Sequence, residues 1–170
     1  FSHSLMIEFN CFQSPIGKLT LAAVKEGVIT ISFSNKSIEH MQQWYQRHLG
    51  MKAVRGNDIT QHAKEQVLSY LSGRRQSLDF PVVHLNSPFR KKVLEAERKI
   101  PYGETRSYRE VAQMVESPRA SRAVGSANAE NPLPLYFPCH RIICSDRSLG
   151  GFGWGLDVKR FLLDLESQHF

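Results

Sequence analysis

The first third of the chain shows the alternation of apolar and polar residues that is typical of β-strands. Strands are predicted over residues 6–12, 18–25 and 28–33, the last of them rich in β-branched side chains. Ser14-Pro15-Ile16-Gly17 separates the first two strands and predicts a turn, because proline and glycine favour the dihedral angles of turns. We therefore expect a small sheet that begins with a hairpin.

Two helices are predicted to follow these strands, over residues 37–49 and 60–72. Gly73 is expected to end the second helix, and Pro81 keeps the following stretch extended. The apolar residues at helical spacing, which we expect in the core, are Ile38, Met41, Trp44, Tyr45 and Leu49 in the first helix and Ala63, Val67, Tyr70 and Leu71 in the second.

The second half of the chain changes to a helical pattern. Ser87 and Pro88 are the residue types preferred at the N-cap and first turn of a helix, which is predicted to extend to residue 99. Its expected core residues are Phe89, Val93, Ala96 and Ile100.

Three shorter helical segments are predicted after it. Ser107 and Glu110 have the S-x-x-E pattern of a capping box at the start of the first, and Ser117-Pro118 is expected to cap the second. Two short helices joined by a tight turn indicate a helix-turn-helix. The last helix, over 157–167, is expected to bury an apolar face made of Val158, Phe161, Leu162 and Leu165.

These patterns predict an α/β protein of the α+β kind with two domains. Residues 1–86 would form a small sheet-plus-helix domain that supports the second, and residues 87–170 would form a mainly helical domain with the helix-turn-helix. A length of 170 residues is sufficient for two small cores.

The composition is that of a folded globular protein, with 41% hydrophobic and 22% charged residues. No apolar run approaches the roughly 20 residues of a membrane-spanning helix, and no signal-peptide pattern is visible. Cys11, Cys139 and Cys144 are too few for a disulfide framework, and no C-x-x-C pair indicates a zinc site. We expect an intracellular protein without a membrane partner, a metal or a cofactor.

The charge balance favours a polyanionic partner. The net charge is +6 and the isoelectric point is near 9.4, although a basic protein with no nucleic-acid role fits these values equally well. Basic residues crowd one segment of the second half, and they are Arg90, Lys91, Lys92, Arg98, Lys99, Arg106, Arg109, Arg119 and Arg122.

The segment Asn131–Arg141 carries the candidate chemistry. Its closely spaced prolines forbid a simple helix, and an apolar stretch then leads directly to adjacent Cys139 and His140. A neighbouring imidazole and guanidinium could lower the pKa of the Cys139 thiol and supply a thiolate nucleophile. Neighbouring side chains need not face each other, so a direct Cys139–His140 contact and a contact through water are both open.

This segment resembles the signature of the O6-alkylguanine-DNA alkyltransferases, which reads here as Asn131-Pro132 followed by Pro138-Cys139-His140-Arg141. The likeness covers most of residues 87–170, while in the first half only the hairpin turn and the residues just after it look similar. Further matching motifs, in the same order along the chain, are Ser107-Tyr108, Arg119 to Gly125 and Leu163 to Glu166. Tyr136 and Phe137 are bulkier than the aliphatic pair usual at that place.

The resemblance implies a suicide DNA-repair reaction in which Cys139 accepts the alkyl group of O6-alkylguanine, and also of O4-alkylthymine, irreversibly and once. His140 would take the thiol proton through a water, and Glu166 would orient the imidazole and stabilise its charge. Tyr108 would protonate the departing guanine. Asn131 would brace the turn that holds the active loop.

Simpler interpretations stand beside two of these roles. Without the resemblance, Tyr108 is a half-buried helical tyrosine. The resemblance makes Arg141 a buried structural partner, whereas Arg141 and Glu166 could also form a plain ion pair with no role in the reaction.

The resemblance also implies that double-stranded DNA is the partner, bound through its minor groove with the alkylated guanine flipped out of the helix. Arg122 would fill the vacated space, and the small residues Ala123, Gly125, Ser126 and Ala127 would let their helix approach the groove closely. We expect a monomer in solution that can bind DNA cooperatively, located in the cytoplasm or, in a eukaryote, in the nucleus.

The pocket for the flipped base is expected to include Pro134, Ser145, Phe152, Gly153 and Trp154. Glycines around Phe152 would allow the unusual dihedral angles of a loop that forms the pocket wall. The bulk of Trp154 predicts a tight pocket that disfavours large O6 substituents such as benzyl.

Three other functions are open. The alkyltransferase-like proteins keep the pocket but lack the cysteine, so Cys139 argues against that class. A helix-turn-helix regulator would need a dimerisation element and base-reading side chains on its second helix, and neither is obvious. A cysteine hydrolase would need a Cys–His pair serving an acyl substrate, and adjacency of the two in sequence is unusual there.

Overall fold

The fold is described from a computed structural model that covers residues 6–33, 38–56, 58–84 and 86–169. The chain forms two compact units, Phe1–His84 and Leu85–Phe170. The predicted start of the first helix at residue 37 lies outside the described residues, as does the Ile38 side chain. Mixed α and β structure agrees with the α+β class predicted from the sequence.

The first unit contains a four-stranded sheet. Its strands are β1 (Met6–Ser14), β2 (Gly17–Val24), β3 (Gly27–Phe33) and β4 (Lys52–Arg55), in the order β3-β2-β1-β4. The pairs β1–β2 and β2–β3 are antiparallel, which confirms the predicted hairpin, and β4 lies parallel to β1. Strand β4 was not predicted, because its four residues are too short a run to show a period.

Two helices pack beside this sheet, α1 (Ile38–Leu49) and α2 (Ile59–Leu71). The predicted apolar face of α2 is buried, with Ala63 and Val67 fully shielded from solvent. The prediction was wrong for two residues of α1, since Trp44 and Leu49 are 41% and 45% exposed. Among the described side chains of α1, Met41 and Tyr45 reach the apolar core, while Trp44 stacks on His48 at the surface.

The N-terminus of α2 is stabilised by a side chain from the sheet. Asp58 at the N-cap makes no side-chain capping bond. Instead, the Glu8 carboxylate of β1 accepts hydrogen bonds from the backbone N–H of Thr60 at 3.0 Å and from its hydroxyl at 2.6 Å. A carboxylate there satisfies free N–H groups and favours the positive end of the helix dipole.

The second unit begins with three helices, α3 (Pro88–Arg98), α4 (Tyr108–Met114) and α5 (Ser121–Ala129). The predicted capping box of α4 is confirmed, because the Ser107 and Glu110 side chains each accept from the other residue's backbone N–H at 3.0 Å. The start of α5 was predicted wrongly. Residues 117–120 form a turn, and the helix begins after Ala120 with no side-chain cap, because the chain must first reverse direction between α4 and α5.

A short strand, β5 (Arg106–Ser107), lies between α3 and α4 and pairs in parallel with β6 (Ile142–Ile143). The last element of the second unit is α6 (Leu156–Gln168). Leu162 and Leu165 of α6 are buried as predicted, whereas Phe161 is 37% exposed and that prediction was wrong. The buried face of α6 also includes Lys159 and Glu166, so it is less apolar than the sequence pattern suggested. Within the described residues, no helix combines the length and the hydrophobicity needed to cross a membrane.

Candidate active site

The loop before Cys139 is held by its own polar groups. The Asn131 side chain spans it, donating from Nδ2 to the Phe137 carbonyl at 3.0 Å and accepting from the Leu133 N–H at 2.9 Å. Leu135 within the loop has φ of 76°, a left-handed conformation that costs a non-glycine residue about 1–3 kcal/mol. Surrounding contacts therefore hold this loop in a shape it would not adopt alone.

The unusual Tyr136 has a specific partner on α3. The Arg98 guanidinium lies 3.7 Å from the centre of the Tyr136 ring, and its Nη1 donates to the Tyr136 carbonyl at 2.9 Å. These contacts tie the loop to α3, in addition to the bonds that Asn131 makes within the loop. A small aliphatic residue at position 136 would give the guanidinium no ring to stack on.

Cys139 lies at the start of a short 3-10 helix, Cys139–Arg141, with 5% of its surface exposed. Burial raises the pKa of its thiol to about 12, and Glu97, when ionised, would act in the same direction. A hydrogen bond from Asn131 and the positive charge of Lys159 oppose this rise. The expectation of a thiol pKa lowered by His140 and Arg141 was wrong, because burial has the largest effect on this thiol and the positive charge that opposes it is that of Lys159.

His140 and Arg141 both meet the carboxylate of Glu166, which α6 brings from 26 residues downstream of His140. His140 Nε2 and Glu166 Oε2 are 2.5 Å apart. Arg141 donates from Nε to Oε1 at 2.8 Å and from Nη2 to Oε2 at 3.1 Å, and the Gly103 N–H also donates to Oε1. Arg141 Nη1 reaches the Ile100 carbonyl at 2.7 Å, so it ties this cluster to the end of α3.

The charge states of this cluster follow from its geometry. Hydrogen bonds and positive charge from His140 and Arg141 outweigh burial and lower the pKa of Glu166 to about 2. Burial lowers the pKa of His140, even though Glu166 pulls it upward. Glu166 is therefore ionised and His140 neutral near pH 7, which is the state in which an imidazole can accept a proton.

A cavity of about 290 Å³ opens beside the Cys139 sulfur. Its walls come from four separate segments of the second unit, and the lining residues are Tyr108, Gly125, Asn128, Ala129, Cys139, Gly151, Phe152 and Gly153. A cavity of this size is at the lower end of the range for small-molecule sites. Cys139 and Tyr108 thus line the same cavity.

Tyr108 stands at the first position of α4, half-buried in the cavity wall. Burial raises the pKa of its phenol, and the nearby Cys144, Cys139 and Glu97 add to the rise. The phenol therefore stays protonated and can donate. Gly150 lies against the same ring, since a Cβ there would come within 3.3 Å of the Tyr108 hydroxyl, and its φ of 69° also favours glycine.

Two of the five expected pocket residues, Phe152 and Gly153, line the cavity. Trp154 lies outside the lining set and packs its ring edge against Phe152, with 6.3 Å between ring centres. Pro134 is buried within the active loop, and Ser145 is exposed in the turn that follows β6. The structure therefore brings Trp154 to the cavity only through Phe152.

The expected DNA-contacting residues of α5 lie on two faces. Arg122, Ala123 and Ser126 are exposed, whereas Gly125 lies beneath the ring of Tyr108, where an added Cβ would be 3.9 Å from the ring. Ala127 is 1% exposed and packs in the apolar core of the unit. Its side chain therefore faces the interior.

Several basic residues of the crowded segment are engaged within the protein. Arg90 pairs with Glu130, Arg106 pairs with Glu104 at 3.0 Å, and Arg98 contacts Tyr136. The remaining members of the segment have exposed side chains, and they are Lys91, Lys92, Lys99, Arg109, Arg119 and Arg122. These six are the ones available to a polyanion.

Two buried ionisable residues were missed by the sequence analysis. Lys159 is fully buried and donates from Nζ to the carbonyls of Ile142 at 2.6 Å and Leu149, so it fastens the loop that carries the cavity wall. Glu97 is also fully buried and neighbours the cavity through Asn128. A signal existed for Lys159, which stands three residues before Leu162 on the apolar stripe of α6.

Within the described residues, no three His, Cys, Asp or Glu side chains are grouped so as to hold a metal ion.

Comparison with known proteins gives one consistent result. Residues 88–168 match the family model of the 6-O-methylguanine DNA methyltransferase DNA-binding domain, and residues 7–83 match that of its ribonuclease-like domain. A methylated-DNA–protein-cysteine methyltransferase of Methanosarcina acetivorans is 40% identical over 91% of this chain and 95% of its own. The constitutive one of Bacillus subtilis is 35% identical, over 91% and 92%.

Solved structures agree. The crystal structure of Mycobacterium tuberculosis OGT in complex with DNA is similar at a TM-score of 0.82 and 33% identity, covering 95% of this chain and 94% of that one. The structure of the Mycobacterium tuberculosis O6-methylguanine methyltransferase also gives a TM-score of 0.82, covering 97% of this chain and 95% of its own.

Proposed function

The chain belongs to the 6-O-methylguanine DNA methyltransferase family, and on that premise we propose that the Cys139 sulfur is the atom that receives the alkyl group. The protein repairs DNA by alkyl transfer, as a methylated-DNA–protein-cysteine methyltransferase. The observation that carries the assignment of Cys139 is its position in the cavity wall together with a protonated phenol, Tyr108. Cys11 lies in the other unit, and Cys144 is outside the lining set.

The reaction is a displacement at the alkyl carbon. As the S–C bond forms, the C–O6 bond of the modified guanine breaks and its electron pair passes into the guanine. Tyr108 donates a proton to the leaving base, which is otherwise a poor leaving group. The Cys139 proton passes through a water to neutral His140, and the carboxylate of Glu166 stabilises the imidazolium that results.

The product explains why each molecule reacts once. A thioether has no easily broken S–C bond, so Cys139 is not regenerated and the transfer is stoichiometric and irreversible. The same attack applies to the alkyl carbon of O4-alkylthymine. All groups required come from the chain and the DNA, so we propose that the reaction takes place without a cofactor.

The protein binds DNA, and we propose that α5 enters the minor groove. Arg122, Ala123 and Ser126 form the exposed face of α5, and the small side chains of the last two allow the helix to approach the sugar–phosphate edges closely. The target base must leave the stack to reach a buried sulfur, and Arg122 fills the space it vacates. Exposed Arg109 and Arg119 would contact phosphates, which gives salt-dependent affinity with little sequence preference.

We expect the cavity to favour small O6 substituents. Phe152 in its wall is backed by the Trp154 ring, which limits how far Phe152 can retreat from a large group. Methyl transfer should therefore be faster than benzyl transfer from otherwise identical DNA. Equal or faster benzyl transfer would contradict this expectation.

We further expect a monomer in solution that is able to bind DNA cooperatively. It would work where the cell keeps its DNA, which is the cytoplasm or, in a eukaryote, the nucleus.

Intact-protein mass spectrometry tests the nucleophile. Wild type, Cys139→Ala and the matched control Cys11→Ala would be incubated with a duplex containing O6-methylguanine. Wild type and Cys11→Ala should each gain one methylene mapped by peptide analysis to Cys139, and Cys139→Ala should gain nothing while still binding DNA. An unmodified Cys139 in folded, DNA-binding wild type would overturn the assignment.

A second experiment tests Arg122. Arg122→Ala should transfer methyl from duplex DNA roughly tenfold more slowly, because unstacking a base costs a few kcal/mol, yet react normally with a single-stranded oligonucleotide. Arg160→Ala, an exposed arginine of α6, serves as the matched control and should behave as wild type on both substrates. An equal loss on both substrates would point to a structural role for Arg122 instead.

A further inference from the structure

Glu97 is a buried acid, and in the described part of the chain no basic side chain is paired with it. It lies near the end of α3 with none of its surface exposed. Within the described residues its side chain makes no ion pair, in contrast to Glu166, which has Arg141 beside it. Burying a carboxylate with no compensating cation is strongly unfavourable, so the neutral acid is the form that fits this place.

The polar neighbour of Glu97 belongs to the cavity wall. The Asn128 amide of α5 lies against the Glu97 carboxyl, with one of its polar atoms 2.8 Å from Oε1 and in contact with Oε2 as well. Asn128 in turn lines the cavity together with Cys139 and Tyr108. A neutral carboxyl has one oxygen that accepts and one O–H that donates, so it can bond the Asn128 amide through either its nitrogen or its oxygen, whereas a carboxylate can only accept from the nitrogen.

We propose that Glu97 is a positioning residue for alkyl transfer, which as a neutral carboxylic acid holds the Asn128 amide in the cavity wall without placing a negative charge beside the Cys139 sulfur. The inference deepens the proposed function, since it rests on Cys139 as the acceptor. Glu97 acts through Asn128 and through the electrostatic field, and it is outside the set of residues that line the cavity.

The effect of ionising Glu97 is defined by the groups that face it. They are Cys139 on the 3-10 helix and Tyr108 on α4, and a charged Glu97 raises the pKa of both. Lys159 of α6 acts on the same sulfur with the opposite sign. Burial raises the pKa of Glu97 well above its ordinary range, which favours the neutral carboxyl, and in that form Glu97 does not cancel the effect of the Lys159 charge on the sulfur.

The pH profile of methyl transfer tests this inference. Second-order rates would be measured for wild type, Glu97→Gln and the matched control Glu95→Gln, which changes an exposed glutamate of the same helix, from acid-neutral to alkaline pH. The glutamine in Glu97→Gln keeps the size and the hydrogen-bonding capacity of the acid but cannot ionise. The ratio of Glu97→Gln to wild-type rate should be near one below neutrality and should rise to about threefold to tenfold at alkaline pH, equivalent to about half to one pKa unit at the sulfur.

Two results would overturn the inference. One is a ratio that stays constant with pH, as a purely structural role predicts. The other is a Glu97→Gln rate that falls further below wild type as the pH rises. Glu95→Gln should follow wild type throughout, which excludes a general effect of lost surface charge.

A measurement on the unmodified chain covers the case in which Glu97→Gln does not fold. With glutamate side chains labelled with ¹³C, carboxyl NMR shifts would be followed across the pH range. One carboxyl should titrate well above the ordinary glutamate value of about 4.3, and its absence would overturn the inference. Failure of the proposed function looks different: wild-type Cys139 would then take up no methyl at any pH, whatever Glu97 does.

Discussion

The two units of the molecule bury different kinds of polar residue. In the described part of the first unit, the buried polar side chains are all uncharged, and they are Asn10, Thr20, Thr60 and Gln66. In the second unit five of the six are ionisable, and the set is Glu97, Ser107, His140, Arg141, Lys159 and Glu166. The sheet of the first unit thus encloses an ordinary apolar core, whereas the helices of the second also enclose ionisable side chains.

This difference places the ionisable interior in the unit that carries the proposed alkyl-transfer residues. Buried ion pairs are often no more stabilising than apolar residues of the same volume, so the network is weak evidence for a stability role. A neutral imidazole that can accept a proton, and a carboxylate ready to stabilise the imidazolium, require such a network. The first unit has no such requirement, and the comparison can be tested by breaking each interior in turn.

Removing Glu166 should give the largest effect. In Glu166→Ala, Arg141 stays buried without its anion, and we expect a loss of about 3–5 kcal/mol in the free energy of unfolding. The chain has two tryptophans, Trp44 in the first unit and Trp154 in the second, so each unit has its own fluorescent reporter. Urea unfolding followed by Trp154 in a Trp44→Phe background measures the loss. A change below about 1 kcal/mol, the contribution of one surface pair, would remove the distinction between the two interiors.

The second largest effect should come from low pH, which should destabilise the second unit more than the first. The folded-state pKa of Glu166 is lowered from 4.5 to about 2, so its stabilisation is present above pH 4.5 and is lost as pH falls through 2. The pKa of His140 is also lowered from 6.5, so further stability is lost as the pH falls below 6.5 and protonation favours the unfolded chain. Urea titrations would be repeated at decreasing pH. The urea concentration at the unfolding midpoint should begin to fall at a higher pH when it is read from Trp154 than when it is read from Trp44. The reverse order would contradict the comparison.

A smaller loss is expected for a neutral polar group of the first unit. Thr60→Val removes the hydroxyl that donates to Glu8 at 2.6 Å, while the backbone N–H of residue 60 still caps α2. Hydrogen bonds to charged groups contribute about 1.5–3 kcal/mol, and we expect a loss at the lower end, read from Trp44 in a Trp154→Phe background. A loss as large as that for Glu166→Ala would mean that charge is not what distinguishes the second interior.

The smallest effect should come from the capping box. Ser107→Ala removes one hydrogen bond at the start of α4 and should destabilise the second unit by about 1 kcal/mol. Because Tyr108 is the next residue, the methyl-transfer rate should fall by more than the stability change implies. A rate equal to that of wild type would show that the cap does not control the placement of the phenol.

Local features were predictable from the sequence. Three features depend on residues at most about four positions apart: the hairpin, the apolar face of α2 and the capping box at Ser107. Their patterns can therefore be recognised in the sequence alone. The exposure of Trp44 and Phe161 depends on which element packs against each helix. The helical spacing of apolar residues does not contain that information. Strand β4 forms because β1 accepts it as a partner after α1 has reversed the chain.

For the candidate site too, some features could be predicted from the sequence and others depend on the fold. Cys139, His140, Tyr108 and Glu166 were singled out by resemblance to a family, and their distances could only come from the fold. Lys159 and Glu97 were passed over because a charged residue on a helix is usually exposed. The raised pKa of Cys139 was missed for the same reason, since burial is a property of the fold and not of the neighbouring residues.

Glu166 has a consequence for how this chain can evolve. One carboxylate receives the Gly103 N–H, two nitrogens of Arg141 and the ring of His140. With the role in alkyl transfer that we propose for Glu166, selection for a folded protein and selection for repair would act on the same codon. A lineage that lost the need for repair would then still be under pressure to keep this residue, because Arg141 would otherwise be buried without its anion.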